Sequence, residues 1–375
     1  MKETLTRFEN TRKAGVSAQK TSVSIVVPAY NEALLIEKNL TKICDYMHSL
    51  ENEYRWELII VNDGSQDETG EIAENFAKTR DNVLVLHHFV NFNVGQALRF
   101  GFSNCRGEYI VVLDVDLSYS PEHIGALLHA IRTTRAKIVL ASPYMKGGKI
   151  SSVPWLRKTL SISANRFLSY LNKGDFSTLT GMVRAYDTKF LQSLSLKSMD
   201  VSISAEILYK AMILRARIVE IPAHLDWGFQ KKVQRTSSIK IGRSIIAYVL
   251  SGFMFRPFLF FIGPGFLLML LACYAFGWAF AHTITKFSEI GSITGPFTVR
   301  LSGAVASAFQ QAPHTFLIGG ISLILAIQLI SLGSLSLQNK KYFEEVFYLA
   351  TNIYKMKVLG KYENSERPDR SCTGA

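Results

Sequence analysis

Formal charge is nearly absent from one long stretch of this sequence. Across the 82 residues 257–338, only Lys286, Glu289 and Arg300 are charged, out of 72 charged side chains in the chain. About a quarter of the remaining residues are charged, the usual density of a soluble domain. A wholly soluble protein, a transporter filling the whole chain and a disordered chain are therefore all excluded. Acidic residues are missing from two further windows. Residues 123–174 hold nine Lys or Arg and no acid, and residues 227–256 hold six and no acid. These windows exceed the net charge of +12 of the 375-residue chain, so the rest is slightly acidic. Cysteine is scarce. Cys44, Cys105, Cys273 and Cys372 show neither CxxC nor metal-ligand spacing, which excludes a disulfide framework and makes reduced thiols the expectation. The polar residues 1–21 lack the apolar segment of a secretory signal, so the first domain is expected in the cytosol.

What is present first is an alternation of short apolar runs and amphipathic stretches. Strands are predicted at 23–29, 56–62, 83–87, 109–114 and 138–141, with helices from Leu34, at 67–78, 94–104 and 121–131. Continuous rather than alternating apolar strands between helices predict an α/β domain with a mostly parallel sheet covered on both faces. Ligands of such sheets bind at the carboxyl ends of the strands. Those ends here carry Pro28-Ala29-Tyr30-Asn31-Glu32, Asn62-Asp63-Gly64-Ser65 and Asp114-Val115-Asp116.

Two uncharged runs, 258–281 and 312–337, each exceed the roughly 20 residues a membrane helix needs. Lys and Arg are dense before the first run and after the second, and sparse in the loop 282–311. The positive-inside rule then places both tails in the cytoplasm and the loop outside. The expected organisation is a polar tail (1–21), a catalytic domain (22–226) and a basic juxtamembrane segment (227–256). Two spans with an external loop (257–338) and an amphipathic cytoplasmic tail (339–375) complete it. That tail is a candidate for membrane contact or homo-oligomerisation.

Asp114 and Asp116 can share one side only if their strand ends there, because alternate strand residues face opposite ways. A pair so placed suits Mg2+ or Mn2+ shared with phosphate oxygens. Asp63 can accept from a ribose hydroxyl or a base, while Ser65 or Asp67 could equally be an ordinary helix cap.

Four motifs occur in order: Ser24 to Glu32, Ile60 to Ser65, Asn91 to Ala97 with its Asn93-Val94-Gly95 core, and Val112 to Leu117. Together they resemble the family 2 glycosyltransferases of GT-A fold, in the polyprenyl-phosphate, dolichyl-phosphate mannose synthase-like branch. The resemblance covers about 22–225, and the two-span tail is similar to membrane-anchored members. It implies a nucleotide-sugar donor, with Pro28, Tyr30 and Glu32 lining the nucleotide pocket and Asp63 on base or ribose. It implies that Asp114 and Asp116 hold the diphosphate through Mg2+ or Mn2+. Ser118, counted with Asp114 and Asp116 in the implied metal site, stands where the family often has a Gln ligand, and Gln96 where it has Lys.

The resemblance also implies acceptor-phosphate contacts from Arg157 and Ser161, which share a helix face with Asn165. Arg157 is counted with Asp114 and Asp116 among the catalytic residues. The stretch from Thr180 to Tyr186 resembles another family motif, giving Arg184 either an acceptor role or a structural pairing with an acid such as Glu206. Arg235, Ser238 and Lys240 resemble a loop that closes over phosphates. Pro143 and Thr178 replace a family Arg and Asp.

The expected activity is inverting transfer of one sugar from a GDP- or UDP-sugar to a polyprenyl phosphate at the cytoplasmic face. Alternatives are another lipid or a polysaccharide acceptor, or a non-catalytic membrane scaffold. A nucleic-acid partner is not expected, since the basic windows flank apolar residues rather than a nucleic-acid motif.

Overall fold

The computed structural model describes residues 20–153, 159, 162–163, 166, 176–179, 181–226, 228, 256–290 and 296–365, with backbone alone for 257 and 354–365. Arg157, Ser161, Asn165, Arg235, Ser238 and Lys240 lie outside the described residues, as do almost all of the N-terminal tail and the juxtamembrane segment. The chain divides into two units, residues 252–347 and the remainder.

The larger unit is built on β1 (Thr21–Ala29), α1 (Ile36–Ser49), β2 (Tyr54–Asn62), α2 (Thr69–Ala77), β3 (Val83–His87), α3 (Val94–Asn104), β4 (Tyr109–Val112), α4 (Glu122–Thr134) and β5 (Ile138–Ser142). It continues through β6 (Lys149–Ser151), β7 (Arg184–Asp187), α5 (Thr188–Ser193), α6 (Ile203–Ile213), β8 (Ile218–Pro222) and β9 (His224–Asp226). Seven strands form one sheet in the order β3-β2-β1-β4-β7-β5-β8, and β6 pairs with β9 apart from it. All neighbours in the large sheet are parallel except β7, which runs antiparallel to both β4 and β5. The expected mostly parallel α/β sheet is thus what forms.

The apolar runs explain it. Ile25, Val26 and Val27, then Leu58 to Val61, are fully buried, as both faces of such a sheet require. Each such side chain contributes about 2 kcal/mol on leaving water. Helix α1 covers one face with Ile36, Leu40, Ile43 and Met47. Gly101 of α3 lies so close that a Cβ there would meet Val26 at 2.7 Å, so this helix sits directly on β1. The strand β7 escapes the apolar pattern because its four residues, Arg184 to Asp187, include two charges.

The smaller unit contains α7 (Pro257–Glu289), α8 (Phe297–Gln311) and the first part of α9 (Pro313–Ser365). Helices α7 and α9 are long and apolar enough to cross a membrane over Phe258–Glu289 and Pro313–Ile353. The predicted span 258–281 falls inside the first, and 312–337 inside the second except for Ala312, which caps α8. The predicted loop 282–311 is mostly helical instead, since α7 runs on to Glu289 and α8 follows. The second run from Pro313 and the tail as far as Ser365 lie in one continuous helix, and neither Gly nor Pro interrupts residues 334–359.

Candidate active site

Three loops meet at the carboxyl edge of β1, β2 and β4. After β1, Asn31 adopts a left-handed conformation (φ 54°), which Asn tolerates better than most residues. Its Oδ1 accepts from the Gln66 amide at 2.9 Å, and its own amide donates to Ser65 Oγ at 3.0 Å. The Glu32 amide donates to Thr69 Oγ1 (2.7 Å) and that of Ala33 to Asp67 Oδ2 (3.1 Å). Burial acts to raise the Asp67 carboxyl, but donors on Thr69 and Ala33 outweigh it and hold the group below its usual range. Asp67 is therefore a staple between two loops rather than a simple helix cap.

Gly64 follows Asp63 with φ 66°, and a Cβ there would meet the Val90 carbonyl carbon at 2.3 Å. The loop after β3 passes directly over this turn. Asp63 is buried and ties that loop down: its Oδ1 accepts from His88 Nδ1 at 2.7 Å and from the Phe92 amide at 3.1 Å. His88 stacks on Phe100, with ring centroids 5.1 Å apart.

β4 ends at Val112 and the chain turns at once, with the Leu117 amide donating to the Asp114 carbonyl at 3.1 Å. The two acids thus leave the strand before its alternation can separate them. Burial, then the Asp116 charge and then Glu32 push the Asp114 carboxyl up to about 7. The Ser118 amide donates to Asp116 Oδ1 at 2.9 Å, and the Ser118 carbonyl accepts from the Asp226 amide at 2.9 Å. Ser118 thus orients Asp116 through its backbone.

These loops enclose a cavity of about 510 Å³ whose lining includes Pro28, Tyr30, Glu32, Asp63, Asp114 and Asp116. Every proposed donor-side residue is therefore brought together. Asn91, Asn93 and Met182 join them. A second cavity of about 400 Å³, lined by Lys20, Tyr54, Arg55 and Trp56 among others, lies at the amino end of β2, where parallel sheets do not bind ligands.

Among the described residues, no three His, Cys, Asp or Glu side chains form a ready metal cluster. The donor set nevertheless fits a hard divalent cation that takes its other oxygens from a diphosphate. Burial, with the Asp116 and Glu32 charges added, raises Asp114 to about 7, and a cation beside the acid pair would relieve that cost.

Arg184 requires a correction to its assignment as an acceptor-phosphate contact. It is fully buried, and its Nη1 and Nη2 donate to the carbonyls of Ser204 and Leu179 at 2.8 Å each. Glu206 is not its partner, since that carboxylate takes Lys210 Nζ at 2.6 Å and the amides of Lys197 and Ser198. Thr178, where the family has Asp, is also buried, and its amide donates to Glu220 Oε1 at 3.1 Å. The tie between His88 and Asp63 was missed in the sequence. Its signal was the polar pair His87-His88 closing an apolar strand, the pattern that marks the other three strand ends.

Residues 24–194 match the family model described as glycosyl transferase family 2. Over a little under half of the chain they are thus similar to the family 2 glycosyltransferases. The domain has the GT-A arrangement, a mostly parallel sheet with its acid pair at the carboxyl edge. Its chain is 36% identical over 153 residues to a dolichyl-phosphate beta-glucosyltransferase of Trichomonas vaginalis, covering 39% of this chain and 47% of that one. It is 29% identical over 205 residues to a polyprenol monophosphomannose synthase of Mycolicibacterium smegmatis, covering 53% and 75%. The chain thus spans about half the length of the first relative and three quarters of the second. Among solved structures, a glucosyl-3-phosphoglycerate synthase of Mycobacterium tuberculosis with Mn2+, UDP-glucose and phosphoglyceric acid is 19% identical. Its TM-score is 0.47, with 63% of this chain and 80% of that one covered.

Proposed function

We propose that this protein is a membrane-anchored, inverting glycosyltransferase. It moves one sugar from a GDP- or UDP-sugar to a polyprenyl phosphate at the cytoplasmic face. The observation that carries the reading is the cavity in which Asp63, Glu32, Asp114 and Asp116 converge at the carboxyl edge. Similarity to a dolichyl-phosphate beta-glucosyltransferase and a polyprenol monophosphomannose synthase supports the acceptor, and the two apolar helices support the membrane.

Asp114 and Asp116 are the residues to hold Mg2+ or Mn2+, and Ser118 keeps Asp116 aimed through its amide. When bound, the cation neutralises the leaving diphosphate. Pro28, Tyr30 and Glu32 border the nucleotide, and Asp63 accepts from it. The acceptor is a phosphate monoester with a second pKa near 6, so it is already a nucleophile at neutral pH. Positioning by cations therefore matters more than a strong base. Arg157, Ser161, Arg235, Ser238 and Lys240 supply that positioning in this reading, and Thr178 in place of an acid is no obstacle to it.

Purified full-length protein in detergent, given polyprenyl phosphate and a panel of labelled UDP- and GDP-sugars, is expected to yield a lipid carrying one sugar. Absence of lipid-linked label with every donor would overturn the proposal. A ladder of longer products would replace it with polysaccharide synthesis.

A further inference from the structure

The hydrogen bonds on Asp63 point to a choice between the two nucleotide classes, and this step rests on the nucleotide-sugar reading above. A carboxylate that meets a base edge can offer two oxygens. Guanine presents two adjacent N–H groups, N1–H and the 2-amino group, and uses both oxygens. Uracil presents one, N3–H, flanked by two carbonyls. At Asp63 the two oxygens are not equivalent. Oδ1 already accepts two hydrogen bonds, from His88 Nδ1 at 2.7 Å and the Phe92 amide at 3.1 Å. Oδ2 has no partner among the described residues and is not a sealed-off orphan, while Asp63 itself borders the cavity.

We infer that Asp63 presents a single acceptor to the nucleotide, and that His88 is the positioning residue that makes it so. The donor class this selects is a uridine diphosphate sugar. One uracil N–H meets one free oxygen. Guanine would lose the two-oxygen pairing that its adjacent N–H groups need, leaving its second N–H without an in-line acceptor. The lock is well supported: His88 is packed between Phe100 (stacked, 5.1 Å) and Phe92 (edge-on, 5.2 Å). Because the Asp63 oxygen accepts, His88 Nδ1 must carry a proton. Asn91 supports the same base. Its Oδ1 is taken by the Asn93 amide at 3.0 Å, which leaves its Nδ2 as a donor beside the cavity, suited to a uracil carbonyl.

The test is competition for nucleotide binding, measured by calorimetry on full-length protein in detergent with Mg2+ and either UDP or GDP. One stranded buried donor predicts that UDP binds about 5- to 150-fold more tightly than GDP. His88→Phe keeps the stacking and removes one of the two donors, leaving Oδ1 only the Phe92 amide and so able to accept again, and should narrow that ratio. His88→Asn, whose Nδ2 can stand where Nδ1 stood, should restore it. A purely structural role for His88 would weaken both nucleotides alike and leave the ratio unchanged, which would overturn the inference. GDP binding as tightly as UDP to the unaltered protein would also overturn it, and does so even if His88→Phe does not fold. If neither nucleotide binds, the nucleotide-sugar reading itself falls and takes this inference with it.

Discussion

The two halves of the large sheet are built from similar strands but do different work. In the parallel half, β3-β2-β1-β4, the ends of β2, β1 and β4 deliver Asp63, Glu32 and the Asp114-Asp116 pair to one cavity, and His88 after β3 holds Asp63. In the mixed half, β7-β5-β8, the polar groups turn inward. Arg184 is spent on two backbone carbonyls, and Glu220 on the amides of Ser177 and Thr178. The parallel direction aligns carboxyl ends on one edge. The reversed β7 brings its amino end, with Arg184 opposite Val112 and Leu140, to that same edge, but the Arg184 side chain is buried there and becomes a brace. Resemblance of a motif in sequence therefore does not carry a role unless the fold leaves the side chain exposed to the site.

Replacing a residue from each half is the sharpest way to break this contrast. Asp116→Asn should lower sugar transfer by about 1000-fold, the scale of losing one electrostatic stabiliser, with little change in melting temperature. Arg184→Met should do the reverse. Two buried carbonyls lose their donors, a cost of about 2–5 kcal/mol, visible as a lower melting temperature before any specific loss of acceptor binding. If Arg184→Met melted normally and raised only the KM for lipid phosphate, the brace assignment would be wrong.

A pH series sharpens the parallel half further. The Asp114 carboxyl sits near 7 against an ordinary 3.8, so the folded state holds its proton more tightly than the unfolded chain. Stability from this group is therefore highest at low pH and declines as pH rises from about 4 towards 7. A cation must displace that proton. Mn2+ affinity measured without nucleotide should rise about tenfold per unit up to pH 7 and then level off. Thermal stabilisation by Mn2+ should accordingly be larger at pH 8 than at pH 6. The smallest expected effect is at the loop staple. Asp67→Ala should reduce transfer only a few-fold, by loosening the loop that carries Glu32. Because the Asp67 carboxyl is held below its usual range, its contribution is fully present above that range and is lost as pH falls below it, through the lowered folded-state value.

Much of this was legible in the sequence because it depends on local rules. Continuous apolar runs mark buried parallel strands, and polar clusters at their ends mark the ligand edge. These located β1 to β5 and the residues Tyr30, Glu32, Asp63, Asp114 and Asp116. What stayed hidden depends on distance in space. β7 is four residues long and charged, so only its pairing with β4 and β5 makes it a strand. The bond between His88 and Asp63 joins residues 25 apart, and Ser118 acts through an amide that sequence does not distinguish. The helical character of the segment between the spans was also missed, because Phe297–Gln311 mixes polar and apolar residues like a loop.

The central claim is that the acid pair at the carboxyl edge drives sugar transfer to a lipid phosphate. Its most direct test compares unaltered protein with Asp116→Ala, using labelled nucleotide sugar, polyprenyl phosphate and Mn2+, and scores lipid-extractable label. The account predicts a single-sugar lipid product from the unaltered protein and essentially none from the variant. Equal product from both, or none from the unaltered protein with any donor, would contradict it.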